Sequence, residues 1–283
     1  SDGVSGFHER VDAAGVPTML LPPTPEEAAF NAAHRGESCA EEPCGARWGI
    51  WPGALVVDPA TDRALVFFHK IYAEIGQWSF HTVGSGVAIW DDFEAGPVRA
   101  VARPEAEHPT LMFDADEPAF GSAALICGGH LYVWSCESDA TLGKPCHVAR
   151  VAPSEVLDRA AWRYWNGGAW SSSMGSAVSV FDGNDILSIS ELPLTGGLLA
   201  LYSDPMTHDV MLRTADRPEG PWSGERFVFS AERALSDEGW VYDALAHAEY
   251  AREDGAVQLV SYSRTTGFLT FEVRLVEVRL ALD

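Results

Sequence analysis

Positive charge is scarce in this chain. Lysine and arginine together number 19 against 41 aspartates and glutamates, leaving a formal net charge of −22. A phosphate backbone would meet repulsion from such a surface, and no basic patch is concentrated along the chain, so nucleic acid is not an expected partner. Long apolar runs are missing as well. The longest, near 53–57 and 196–202, are strand-sized and fall well short of the roughly 20 residues that a membrane-spanning helix needs. Signatures of several enzyme classes are also lacking. There is no Gly-x-Ser-x-Gly elbow, no His-Glu-x-x-His pair, and no Walker or dinucleotide glycine pattern. The acids of 114–120 alternate but lack the Gly and closing Glu of an EF-hand. Calcium is compatible with a carboxylate-rich site, yet no ligand set for it or another metal is specified. The chain opens at Ser1 with no Met and no charged-then-apolar leader, so it is expected to be a processed or shortened form.

Burial-prone residues are plentiful: 47% of the chain is hydrophobic and 11% aromatic, which is the composition of a folded protein rather than a disordered one. Five cysteines fall as Cys39, Cys44, Cys127, Cys136 and Cys146. Their spacing does not match paired zinc knuckles, and two sequence-local disulfides, Cys39 with Cys44 and Cys136 with Cys146, are the economical reading. That pairing implies export to an oxidising compartment, secreted or at the cell surface, and leaves Cys127 as a free thiol in an apolar strand.

The most informative feature is a long-period repeat. Short β-rich runs ending in Phe68, Trp134, Tyr202 and Tyr262 recur every 60–68 residues, each preceded by a strand candidate rich in small residues and followed by a third. Gly53, Ala54, Gly121, Ser122, Ala123, Ser188, Ser190, Ala244, Ala246 and Ala248 fit the crowded axis on which the inner strands of a β-propeller converge. Inner strands are expected near 51–57, 120–126, 186–191 and 243–250, and a β-sandwich with a chance repeat is the alternative. Helix is confined to 25–34, with Thr24 as N-cap and Pro25 at the first helical position, and to 154–164.

The segments 147–170, 210–223 and 242–280 resemble a bacterial five-bladed propeller family long known only as a domain of unknown function. Some of its members are endo-acting D-arabinofuranosidases that cut arabinan. The resemblance runs from about Trp48 onward and implies an all-β, five-bladed β-propeller spanning 1–283 as one domain. On this reading 49–283 supplies four blades, and 1–48 is a partial first blade with its connecting segment. It departs from the family in two places. An acidic inner-strand segment ending in Gly-Asp-Thr is not found, and His247-Ala248-Glu249-Tyr250 stands where relatives read His-Pro-Glu-Leu.

The implied activity is glycoside hydrolysis of a furanosyl, arabinan-type polysaccharide or oligosaccharide. Such chemistry uses two carboxyl groups. Asp243 and Glu249, on one extended strand, would lie about 20 Å apart, so a working pair must draw on different blades. The resemblance points to the loops where inner strands begin, 44–53, 108–121, 181–188 and 236–244. These offer Asp114, Asp116, Glu117, Asp185, Glu238 and Asp243 as acids. Asp116, Asp185, Asp243 and Glu249 are the catalytic candidates, Trp51 and Trp240 the sugar platforms, and His247 a substrate-facing polar group. For each acid the competing role is a solvated turn, and for His247 with Glu249 a structural polar pair. A non-catalytic propeller that binds glycan or protein, or assembles on a surface, is the competing function.

Overall fold

The computed structural model describes residues 11–76, 79–137, 144–234, 239–267 and 270–281, and within them the chain folds into four antiparallel sheets taken in sequence order. Blade 1 holds β1 (Arg47–Asp58), β2 (Arg63–Ala73), β3 (Phe80–Trp90) and β4 (Val98–Arg99), with β5 (Phe113–Asp114) added to β3. Blade 2 holds β6 (Ala123–Cys127), β7 (His130–Cys136), β8 (Pro145–Val151), β9 (Arg163–Trp165) and β10 (Trp170–Ser171), with β11 (Ser179–Asp182) added to β8. Blade 3 is β12 (Ser188–Leu192), β13 (Gly197–Ser203), β14 (Asp209–Ala215) and β15 (Arg226–Ser230). Blade 4 is β16 (Val241–Ala246), β17 (Val257–Gly267) and β18 (Thr270–Arg279). The first strand of each blade touches the first strand of the next, β1 to β6, β6 to β12 and β12 to β16, which places these strands around a common axis. The fold is a β-propeller.

Each gap between blades is filled by side chains from the middle strands. Leu65 and Phe67 meet Leu131, Val133 and Trp162 between blades 1 and 2. Tyr132 and Trp134 meet Ala200 and Tyr202 between blades 2 and 3, and Leu201 and Val210 meet Val260 and Tyr262 between blades 3 and 4. The repeat aromatics Phe68, Trp134, Tyr202 and Tyr262 are all buried. Burying one such ring stabilises the fold by about 2–3 kcal/mol, and this explains why the aromatic recurs.

The described residues form four blades rather than the expected five. Residues 11–46 carry α1 (Pro25–Ala33) and an isolated bridge between Val11 and Pro17, not the strands of a partial blade. The helix forms because Thr24 and Glu27 cap each other. The Thr24 hydroxyl accepts from the Glu27 N–H at 3.2 Å, and the Glu27 carboxylate accepts from the Thr24 N–H at 2.9 Å. Glu27 then turns inward to Lys70 at 2.8 Å and Arg99 at 2.6 Å, while Leu20 and Leu21 pack on Val66, Phe68 and Ala88. The outward face of blade 1 is thus covered partly by this segment, and among the described residues no strand of blade 4 packs broadly against blade 1.

Two further expectations need correction. In place of a helix over 154–164 there are short 3-10 turns at Pro153–Glu155 and Arg159–Ala161, followed directly by β9. Val156, Trp162 and Tyr164 are all drawn into the core between blades 1 and 2, and the Trp162 indole donates to the Val156 carbonyl at 2.9 Å. A regular helix cannot turn residues of that spacing to one face. The last inner strand stops at Ala246, and Ala248–Tyr250 is a 3-10 turn.

Candidate functional site

Neighbouring blades are sewn together by hydrogen bonds at their inner strands. Ala54 donates its N–H to the Gly121 carbonyl at 2.9 Å, and Leu187 donates to the Ser122 carbonyl at 3.4 Å. Ala244 donates to the Ser203 hydroxyl at 3.0 Å and Ala246 to the Ser188 hydroxyl at 2.8 Å. Small residues are needed for this. A Cβ on Gly53 would stand 2.5 Å from the Gly121 carbonyl oxygen, and one on Gly121 would stand 3.0 Å from the Phe67 Cβ.

The blades bring five polar side chains into electrostatic reach. His69 comes from β2, Glu137 follows β7, Lys144 precedes β8, Asp185 lies in the loop before β12 and Asp243 sits in β16. Lys144 is ion-paired with Asp185. Glu137 accepts from the Ser135 hydroxyl at 2.7 Å and from the Ala119 N–H. Burial holds the His69 imidazole below its ordinary pKa, against the pull of the Glu137 and Asp185 carboxylates.

Asp243 is perturbed in both backbone and acidity. It occupies a β-bulge, where the pairing of β16 with β17 slips between Tyr242 and Leu245, and its φ is 55°, a conformation uncommon outside glycine. The half-buried carboxyl has its pKa pushed up to about 6, first by burial and then by the negative charge of Asp185, with Lys144 pulling the other way. Strained backbone and a displaced acidity at one residue, within reach of a second acid, is the pattern of functional sites. The pair has the chemistry of an acid and a base: one carboxyl retains its proton toward neutral pH and the other is matched to a cation.

Two exposed tryptophans neighbour these residues in the ladder or along the chain, Trp51 opposite His69 and Trp240 three residues before Asp243. Trp51 is 49% exposed, lies opposite His69 in the β1–β2 ladder and meets the Phe80 ring edge-on at 5.1 Å. Trp240 is 60% exposed, and its backbone N–H donates to the Thr265 hydroxyl at 2.8 Å.

The other sequence candidates are exposed or held by other partners. Asp116 is exposed on its loop, while its neighbours Asp114 and Glu117 pair with Arg103 and Arg159. His247 and Glu249 follow the C-terminal end of β16, past the bulge at 243–244. There His247 contacts Glu249 at 3.4 Å and the Ser261 hydroxyl at 2.8 Å. Glu249 is exposed, and the pair does not line a tight channel as an extended strand would require. Glu238 lies outside the described residues.

Both expected disulfides are present, with Cα–Cα separations of 5.3 Å for Cys39–Cys44 and 4.0 Å for Cys136–Cys146. Cys127 is free and half-buried. Among the described residues the one group with metal-ligand spacing is Cys39, Glu42 and Cys44, and its two sulfurs are bonded to each other. No described helix is long and apolar enough to cross a membrane.

His69, Glu137 and Lys144 escape the sequence reading, although the repeat holds a signal for the first. The residue after each repeat aromatic is polar: His69, Ser135, Ser203 and Ser263. In blades 1 to 3 that position serves the mouth, with Ser135 holding Glu137 and Ser203 holding the Asp243 bulge.

The fold is a propeller whose blades carry charge-coupled polar side chains, His69, Glu137, Lys144, Asp185 and Asp243. The chain belongs to the family described as "Domain of unknown function (DUF4185)", whose family model matches residues 76–257. No curated protein matches it. Among solved structures it is similar to a candidate hydrolase from Bacteroides ovatus, at 14% identity and a TM-score of 0.53. That match covers 76% of this chain and 54% of the other, so the chain spans about half the length of that protein. More distant matches, with TM-scores of 0.38 and 0.39 and 11% identity, are two carbohydrate-active enzymes. One is a β-xylosidase/α-arabinofuranosidase from a compost metagenome (81% of this chain, 91% of that one), and the other an α-L-arabinofuranosidase from Podospora anserina (88% and 94%). At these scores neither bears on the chemistry of this chain.

Proposed function

We propose that this chain is a secreted glycoside hydrolase acting on furanosyl, arabinan-type polysaccharide. The observation that carries the reading is the charge coupling of Asp243 to Asp185, acids of different blades, with the Asp243 carboxyl pushed up to about 6 first by burial and then by Asp185. Asp243 is assigned the general acid that protonates the departing glycosidic oxygen. Asp185, ion-paired with Lys144, is assigned the second carboxylate, which supports attack at the anomeric carbon. Trp51 and Trp240 offer flat apolar surfaces to the sugar rings. The furanosyl preference rests on the family resemblance of 147–170, 210–223 and 242–280, and export rests on the two disulfides.

The test is product release from arabinan fragments by the full-length protein, followed by chromatography. Asp243→Asn and Asp185→Asn should each lower turnover by several orders of magnitude while thermal stability holds. Trp51→Ala and Trp240→Ala should weaken binding more than turnover. Binding without product release in the unaltered protein would replace the hydrolase with a glycan-binding module. A protein that neither binds nor cleaves would leave the propeller with another ligand.

A further inference from the structure

The chain contains two lysines, Lys70 and Lys144. Lys70 is buried against α1 in its pair with Glu27, which leaves Lys144 as the lysine at the mouth. Lys144 sits at a junction of blades 2 and 3. Its carbonyl accepts from the Gly183 N–H at 2.9 Å, and its ammonium pairs with Asp185 two residues further on. Beside this contact β11 runs along β8, with Phe181 opposite Cys146 and Asp182 opposite Pro145. Cys146 is itself bonded to Cys136, its direct partner in the β7–β8 ladder. Only glycine fits at 183, since a Cβ there would stand 2.9 Å from the Cys146 sulfur and 3.0 Å from the Phe181 ring. On the far side the Asn184 amide donates to the Ser203 carbonyl at 2.8 Å.

The Asp185 loop is therefore gripped by both blades, and Lys144 supplies a backbone contact and a charge contact to it. Its positive charge also acts on the Asp243 carboxyl. We propose that Lys144 is a positioning residue of this site, holding the Asp185 loop in place and supplying the positive charge that lets two carboxyl groups share one mouth. The assignment rests on the reading of Asp185 and Asp243 as the working pair, although its test does not require turnover. Among the described residues the charged groups acting on the Asp243 carboxyl are Asp185 and Lys144, with the neutral Tyr242 phenol also coupled to it, and those acting on His69 are Glu137 and Asp185. Lys144 is the one cation among them while His69 stays neutral. Without the ammonium, Asp243 would keep the repulsion of Asp185 and lose the attraction that opposes it.

The experiment is a side-chain carboxyl NMR titration of the full-length protein and of Lys144→Met, Lys144→Gln and Lys144→Arg. The Met and Gln variants should move the Asp243 midpoint up by about 1 pH unit, and the Arg variant should restore it. Lys144→Gln is neutral but keeps a polar end that can still hydrogen-bond Asp185, so it carries the test if the apolar Lys144→Met does not fold. An Asp243 midpoint unchanged in a folded Met or Gln variant overturns the proposal. So does an Arg variant that behaves like Met. The titration reads the same whether or not arabinan is cleaved, so failure of the hydrolase reading is seen separately. If turnover is present, its alkaline limit should move upward with the Asp243 midpoint in the Met and Gln variants.

Discussion

The Ser203 hydroxyl accepts the backbone N–H of Ala244 at 3.0 Å, across the boundary between blades 3 and 4. Ala244 is the residue after Asp243 and lies within the same bulge, where the β16–β17 ladder makes no pairing. An N–H released from its ladder and buried must find another acceptor, and Ser203 provides it. The same serine accepts the Asn184 side-chain amide through its carbonyl, one residue before Asp185. One side chain and its own backbone thus reference both acids of the mouth to the middle of blade 3.

Removing that hydroxyl should therefore affect acidity as well as stability. Ser203→Ala leaves the Ala244 N–H buried without its acceptor, and unfolding in denaturant should show a loss of about 1–3 kcal/mol. As the bulge relaxes and water reaches the carboxyl, the Asp243 midpoint should fall toward the ordinary carboxylate range. A variant that loses stability while the midpoint stays near 6 would separate the bulge from the acidity and refute the link.

The Asp243 acidity also sets a pH dependence with a definite sign. Its pKa is raised from 3.8 to about 6, so the folded state holds this proton more tightly than the unfolded chain. The resulting stabilisation is complete below about 3.8 and is lost as pH rises through about 6. Asp243→Asn should remove this downward step from a plot of unfolding free energy against pH. If Asp243 is the general acid, turnover should also decline as pH rises through about 6, because the donor must be protonated.

Much of this architecture is legible in the sequence because propeller geometry acts on residue size. The repeat aromatics announce the buried middle strands, and Gly53, Gly121, Ser122 and Ser188 announce the crowded axis that the hydrogen bonds between blades then confirm. Asp185 and Asp243 are legible as acids near strand starts. Their charge coupling is not, because it depends on the slip of β16 against β17, which no residue pattern in 241–246 announces. The helix expected over 154–164 fails because local helix propensity there is overruled by the burial of Val156, Trp162 and Tyr164. Glu249 belongs to the inner strand only if β16 runs to 250, and the strand ends at Ala246.

Glu27 gives the opposite pH behaviour from Asp243. Burial alone would raise its pKa, but hydrogen bonds from Arg99 and Lys70 and from the Thr24 N–H outweigh that and lower it from 4.5 to about 2. Its stabilisation is complete above about 4.5 and is lost as pH falls through about 2. The shift corresponds to about 3 kcal/mol, an upper bound because the unfolded chain also has nearby cations. Glu27→Gln should reduce stability at neutral pH and flatten the acid limb of the unfolding curve. Because Lys70 and Arg99 would then be buried without their carboxylate, α1 should come loose first, measurable as faster amide exchange at Ala28 and His34.

The close approach of β1 to Gly121 offers a sharper test of the axis. Gly53 in β1 lies against the carbonyl of Gly121 just before β6, and the modest room there is backbone on both sides. A methyl group on Gly53 would fall 2.5 Å from that oxygen and 3.6 Å from the Phe67 carbonyl, and neither can turn aside as a side chain would. Gly53→Ala must therefore push blade 1 away from blade 2, stretching the Ala54–Gly121 hydrogen bond of 2.9 Å. A loss of about 1–3 kcal/mol is expected, the usual cost of overpacking. Gly224→Ala is the control, since a Cβ there meets nothing within 4 Å and the backbone is not left-handed. It should leave stability unchanged or raise it by about 0.5 kcal/mol through the unfolded chain. The two variants add the same methyl group, so equal stabilities would mean that β1 does not approach Gly121 as described. Because Trp51 is two residues from Gly53 and His69 lies opposite it, the displaced blade should also weaken oligosaccharide binding at the mouth, readable by calorimetry.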